Sequence, residues 1–133
     1  MSVIVKCDPP SISPTETVSV GVPVFGDMRP APNEAAFVWT SERHGGRGLQ
    51  WRGVIESVQL ARGSAELTIR ILDREPVRPL TNEMLAPHRD SLEATPLASL
   101  ARKLYRHALN KVTELDAAEA QYLDEFFSGR GGA

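Results

Sequence analysis

Apolar residues recur at every second position through the first half of the chain and at three- and four-residue spacing toward its end. Ala65–Leu72 has the cleanest alternation. Leu67, Ile69 and Ile71 fall on one side and Glu66, Thr68 and Arg70 on the other, the two-residue period of a strand with one covered face. Upstream, Phe37 and Trp39 share a face of a strand that begins at Glu34. Leu49–Leu60 places Val54, Val58 and Leu60 on one face and Trp51, Gly53 and Ile55 on the other, so both of its faces are expected to be covered. Ala61-Arg62-Gly63-Ser64 reads as a hairpin turn. These segments predict a three-strand meander. Met1–Lys6 and Glu16–Val24, rich in Val, Ile and Thr, predict two further strands. Between them Cys7–Pro14 carries Pro9, Pro10 and Pro14 and is expected to be a loop, as is Gly26–Asn33.

The helical period begins late. Thr81 is positioned to cap a short helix over Thr81–Leu85. Thr95 and Pro96 begin a helix expected to span about residues 95–111, with Leu97, Leu100, Ala101, Leu104, Tyr105 and Ala108 as its buried stripe. Arg102, Lys103, Arg106 and His107 face away from that stripe. Asp116 and Glu119 form a capping box for a final helix over about 116–128, with Leu123, Phe126 and Phe127 as its apolar face and Gly129 as its stop. Strands first and helices last define an α+β fold. Residues 1–133 are read as one domain, a small β-barrel or strongly bent antiparallel or mixed sheet carrying two C-terminal helices.

Composition narrows the chemistry. Cys7 is the sole cysteine, so an intramolecular disulfide and a cysteine-rich metal site are both excluded. His44, His88 and His107 lack metal-ligand spacing, and neither a nucleophile elbow nor a Walker-type loop is present. No metal and no cofactor is expected. Met1–Lys6 lacks the basic start and long apolar run of a secretory leader, and no stretch approaches the ~20 apolar residues of a membrane span. A cytoplasmic location without membrane association is expected. The net charge of −2 argues against a non-specific nucleic-acid coat, but it hides a basic middle and an acidic end.

The candidate chemistry concentrates in Ala35–Val58, where both tryptophans flank the basic, glycine-rich stretch Glu42–Gly48. Arginine offers a planar fork of donors for phosphate, and tryptophan a stacking platform for bases. Hairpin counting places Trp39 and Trp51 near the same end, around one expected hollow. Trp39, Thr40, Ser41, Arg43, Arg47, Trp51 and Arg52 are the candidate ligand-binding residues. Arg102, Lys103 and Arg106 are the candidates for tracking a nucleic-acid backbone. The leading expectation is a non-enzymatic module for nucleic acid or a modified nucleobase. A second is a protein-interaction or assembly domain, with a homodimer through an exposed Tyr122, Phe126 and Phe127 patch. A third is a nucleotide-acting enzyme, which would need Glu42, His44 and Asp73 in one cleft. Asp73 and Glu75 are read as solvated turn carboxylates rather than a catalytic pair.

The run Asn33-Glu34-Ala35-Ala36-Phe37-Val38-Trp39-Thr40-Ser41, then Gly45-Gly46, then Gly53-Val54-Ile55-Glu56-Ser57-Val58, resembles a PUA-like domain, most nearly the EVE type. The resemblance covers about Glu34–Leu72. It implies a small β-barrel with flanking helices and a pocket for a nucleobase, often a modified one flipped from its stack. By position it puts Trp39, Thr40 and Ser41 at the pocket wall, beside the Arg43–Gly48 loop. The proline-rich Cys7–Pro14 departs from the helix and pocket residues that EVE-like chains place after the first strand.

Overall fold

The computed structural model describes residues 2–9, 16–23, 30–42, 45–105 and 111–128. Its strands are β1 (Ser2–Cys7), β2 (Thr17–Pro23), β3 (Ala35–Thr40), β4 (Gly48–Ala61), β5 (Ser64–Asp73) and β6 (Lys111–Leu115). Its helices are α1 (Asn82–Leu85), continued by a 3-10 turn over Ala86–His88, then α2 (Pro96–Leu104) and α3 (Ala117–Ser128). The strands form one mixed sheet in the order β2-β5-β4-β3-β1-β6. Among the described strand pairs, β1–β3 is parallel and the others are antiparallel. The fold is α+β, a strongly curled half-barrel with two helices at its C-terminal end. The curl brings the edge strands β2 and β6 near each other.

Alternation along the strands sorts the core into two clusters. Val3, Val5, Val18, Val20, Val38, Ile55, Leu67 and Ile69 fill the inside of the half-barrel together with Trp51 and Cys7. Ile4, Phe37, Trp39 and Leu49 point the other way and pack against Leu100, Leu104, Leu123, Phe126 and Phe127 of the helices. Register shifts assist the curl, because an unpaired residue bends its strand and increases its twist. Val38 pairs with Trp51 but Trp39 pairs with Leu49, leaving Gln50 as the extra residue of β4. On the other side of β4 the extra residues are Glu56, and Leu72 on β5. The Glu56 shift turns Val58 toward the barrel interior, against the face expected for it, while Leu60 ends up exposed.

The C-terminal helix expected to reach residue 111 ends at Leu104, and Lys111–Leu115 is instead a strand antiparallel to β1. The β-branched Val112 and Thr113 suit a strand, and the free edge of β1 supplies the partner that local sequence does not reveal. Ala108 and His107 lie outside the described residues. Buried Lys6 donates from Nζ to the Leu104 carbonyl at 2.6 Å, setting a cation at the carboxyl end of α2. Thr95 caps α2 by accepting from Ala98 N at 3.2 Å, as expected. Thr81 makes no side-chain cap on α1. The Glu42 carboxylate accepts from Asn82 N at 2.5 Å in its place, a partner forty positions away in sequence.

The capping box of α3 forms as expected. Glu119 Oε1 accepts from Asp116 N at 2.9 Å, and Asp116 Oδ1 accepts from Glu119 N at 2.7 Å. Glu119 is only 1% exposed, and it also accepts from Ser99 Oγ and Lys103 Nζ, each at 2.6 Å. One carboxylate therefore ties α2 to α3. Glu119→Ala removes one half of the capping box and the carboxylate that Ser99 and Lys103 bind, while Lys103 keeps its contact with the Glu114 carbonyl. The substitution is expected to lower stability by about 3 kcal/mol in urea titrations, with Glu119→Gln losing less.

Phe126 and Phe127 are buried and Tyr122 is half-buried, with Phe127 against Phe37 at a centroid distance of 6.1 Å. The exposed patch expected on this helix is thus closed by the sheet and α2, whose groove holds both phenyl rings. Among the described residues no helix is long and apolar enough to cross a membrane.

Candidate binding cleft

Two loops meet at the end of the sheet where β3 turns into β4 and β5 runs out. The described residues of the first loop are tied to one another and to the end of β1. Ser41 N donates to Cys7 O at 2.9 Å, Gly46 N to Ser41 O at 2.8 Å and Gly45 N to Glu42 O at 3.2 Å. Gly45 and Gly48 adopt φ of 89° and 80°, a region that other residues enter with strain. The second loop, Arg74–Pro79, is clamped from both sides. Leu49 N donates to Leu80 O at 3.0 Å, and Val77 N donates to Phe126 O at 2.7 Å. Arg52 holds the end of β5 from below. It reaches Asp73 at 2.6 Å and Asp124 of α3 at 3.0 Å, and its guanidinium lies 5.3 Å from the Phe127 ring centroid.

Between these loops lies a cavity of about 380 Å³, lined by Arg47, Gln50, Trp51, Arg74 and Glu75 with Pro9 and Gly45 at its rim. A second hollow of about 200 Å³ shares Arg47, Gln50, Arg74 and Glu75 and extends to Arg78. Among the described lining residues, three arginines therefore border the joined cleft against one carboxylate. Arg47 and Glu75 are 3.5 Å apart with both side chains largely exposed, a surface pair too weak to close the cleft. The Arg78 guanidinium rests 4.4 Å from the Phe126 ring centroid, which fixes its position at the far end. Gln50 and Trp51 make the inner wall and the arginines the mouth.

The sequence-predicted site is only partly assembled. Arg47 and Trp51 line the cleft. Trp39 does not: it is 1% exposed and lies among the helices, on the opposite face of the sheet from Trp51. The unpaired Gln50 is the reason. With regular pairing Leu49 and Trp51 would share a face, but the extra residue rotates Trp51 into the barrel while Leu49 stays with Trp39. Trp51 is itself 3% exposed, so it offers an edge rather than a stacking face. Thr40 and Ser41 are buried, and Thr40 organises the hairpin from inside. Arg52 is engaged by two aspartates and is not in the cleft.

The basic helix face is engaged too. Lys103 binds Glu119, and Arg102 donates to the backbone oxygens of Ser91 and Glu93. Arg43, His44 and Arg106 lie outside the described residues. Glu42 and Asp73, two of the three acid-base candidates, are held apart as the α1 cap and the Arg52 partner. Among the described residues no cluster of three His, Cys, Asp or Glu side chains is placed to hold a metal. Arg74, Arg78 and the inner-wall Gln50 were not legible as site residues, although the proline-bracketed Arg74–Pro79 run carries two of them on a stiff segment.

Cys7 faces the barrel interior, and burial followed by the nearby Asp8 carboxylate pushes its thiol up to about 12. It is expected to resist alkylation in the folded protein and to react once the chain is unfolded. Above pH 9, its ordinary value, the unfolded chain releases a proton that the fold retains. Stability should therefore fall as pH rises from about 9 to about 12, by about 1.4 kcal/mol per unit from this group. Cys7→Ala, compared with wild type across that range, isolates the slope.

No protein-family profile, curated protein or solved structure matches the chain.

Proposed function

We propose that the protein is a non-enzymatic, cytoplasmic module that binds single-stranded nucleic acid in the arginine-lined cleft between the Gly45–Gln50 and Arg74–Pro79 loops. The observation that carries this reading is the convergence of Arg47, Arg74 and Arg78 on two joined hollows that hold a single carboxylate among their described lining residues. Guanidinium forks suit phosphate oxygens, and the larger hollow lies within the range of pockets that enclose a small ligand group. The PUA-like resemblance points to the same ligand class and adds a modified base as its most specific form. The binding mode differs from the one expected from sequence. No base stacks between two indoles, and the polar inner wall takes over recognition.

The test is titration of Trp51 fluorescence, in a Trp39→Phe background, with single-stranded DNA and RNA oligonucleotides, with and without modified bases. Binding should weaken as salt rises from about 50 to about 200 mM. Arg47→Gln and Arg74→Gln should each weaken it across all sequences and reduce the salt slope by about 0.7. Absence of binding at low salt, or affinity indifferent to both substitutions, overturns the reading.

A further inference from the structure

We infer that Gln50 is the specificity-determining residue of this cleft, presenting an amide N–H₂ held in one orientation by Thr40 and favouring bases that offer a carbonyl over bases that offer an amino group. The inference rests on the nucleic-acid reading above and goes on to name which bases the cleft prefers.

The argument starts at Thr40, whose side chain is fully buried and out of reach of water. Its hydroxyl accepts from Arg47 N at 2.9 Å, and its own proton needs an acceptor, because a buried hydroxyl proton left unbonded is unfavourable. Gln50 Oε1, 2.5 Å away, is that acceptor. The bond decides which way the amide faces. With Oε1 turned inward to Thr40, Nε2 and its two protons are turned to the cleft that Gln50 lines. The β4 register shift at Gln50 is what brings the side chain to the wall at all.

The rest of the described lining has the same character. Arg47 and Arg74 only donate, as does the Trp51 indole. Glu75 is the one carboxylate, and it already faces Arg47. The arginines, exposed at the mouth, suit phosphate, whereas half-buried Gln50 sits deeper, where a base would enter. Thymine and uracil present two carbonyl oxygens on their pairing edge. Adenine presents an exocyclic amino group there, which meets donors with a donor.

Fluorescence anisotropy of the full chain with labelled oligo(dT) and oligo(dA) of equal length tests this, with wild type compared with Gln50→Met, Thr40→Val and Thr40→Ser. Wild type should bind oligo(dT) about tenfold more tightly than oligo(dA), the discrimination of one well-placed base contact. Gln50→Met and Thr40→Val should bring that ratio near unity, by weakening oligo(dT) binding and relieving the donor–donor conflict with oligo(dA), and Thr40→Ser should retain the ratio. Gln50→Met alters a half-buried wall residue and keeps the test valid even if Thr40→Val fails to fold. Binding with no preference, or a preference that survives Gln50→Met, overturns the Gln50 assignment and leaves the cleft as a backbone binder. Absence of binding to either oligomer overturns the nucleic-acid reading and this inference with it.

Discussion

Trp39→Ala is expected to lower stability by about 3–5 kcal/mol, the loss usual for emptying a buried aromatic site. The indole is 1% exposed and fills the layer between the sheet and the helices, beside Leu49, Leu80, Leu100 and Phe127. A small domain commonly has only about 5–15 kcal/mol in total, so this variant should be partly unfolded near body temperature. Trp39→Phe, which keeps most of the ring volume, should lose much less. Guanidinium titration followed by circular dichroism measures both. The folded fraction of Trp39→Ala should keep its oligonucleotide affinity, because the ring lies across the sheet from the cleft. Loss of affinity at unchanged stability would place Trp39 in the pocket after all.

Gly53→Ala is expected to lose about 3 kcal/mol, the upper part of the range for overpacking. A Cβ at this position would lie 2.1 Å from the Arg70 carbonyl oxygen and 3.1 Å from Ile69 Cγ2. The nearest obstacle is backbone of the paired strand, so it cannot swing aside. The close approach occurs beside the β4–β5 register shift, where Arg52 pairs with Asp73 but Gly53 with Ile71. Disturbing this pairing should also loosen the Arg52–Asp73–Asp124 link that anchors the cleft's second loop. Gly21→Ala is the control: its Cβ would meet nothing within 4 Å, and stability should change by no more than about 0.5 kcal/mol. Equal losses at both positions would point to strand glycine in general rather than crowding at Gly53.

The elements themselves were largely legible. The clean alternation of Ala65–Leu72 located β5 and its buried face, because a half-covered strand writes its environment into every second residue. Thr95-Pro96 and the Asp116–Glu119 box located the starts of α2 and α3, because those signals act over three residues and need no distant partner. β6 was not legible, since five residues with two β-branched side chains become a strand only beside β1. The cap of α1 was misassigned for a similar reason, as Glu42 arrives from another part of the chain.

The candidate site followed the same division. A basic glycine-rich turn next to Trp51 could be read from local composition, and Arg47 does line the cleft. The convergence of two indoles could not be read, because one extra residue at Gln50 reverses the face of everything beyond it. Local sequence reads Arg52 as a ligand-binding residue and Arg102 and Lys103 as contacts for a nucleic-acid backbone. Each has fixed partners brought from elsewhere in the fold.

By itself, then, the sequence determined the α+β class, the β3–β4–β5 meander and the two capped helices, all of which are set by short-range periodicity and capping chemistry. Tertiary structure alone decided which side of the sheet each tryptophan occupies, which arginines line the cleft, and that Gln50 lines it while bonded to the buried Thr40 hydroxyl. These outcomes depend on strand register and on hydrogen-bond partners far apart in sequence, and a period of two cannot foresee where it will be interrupted.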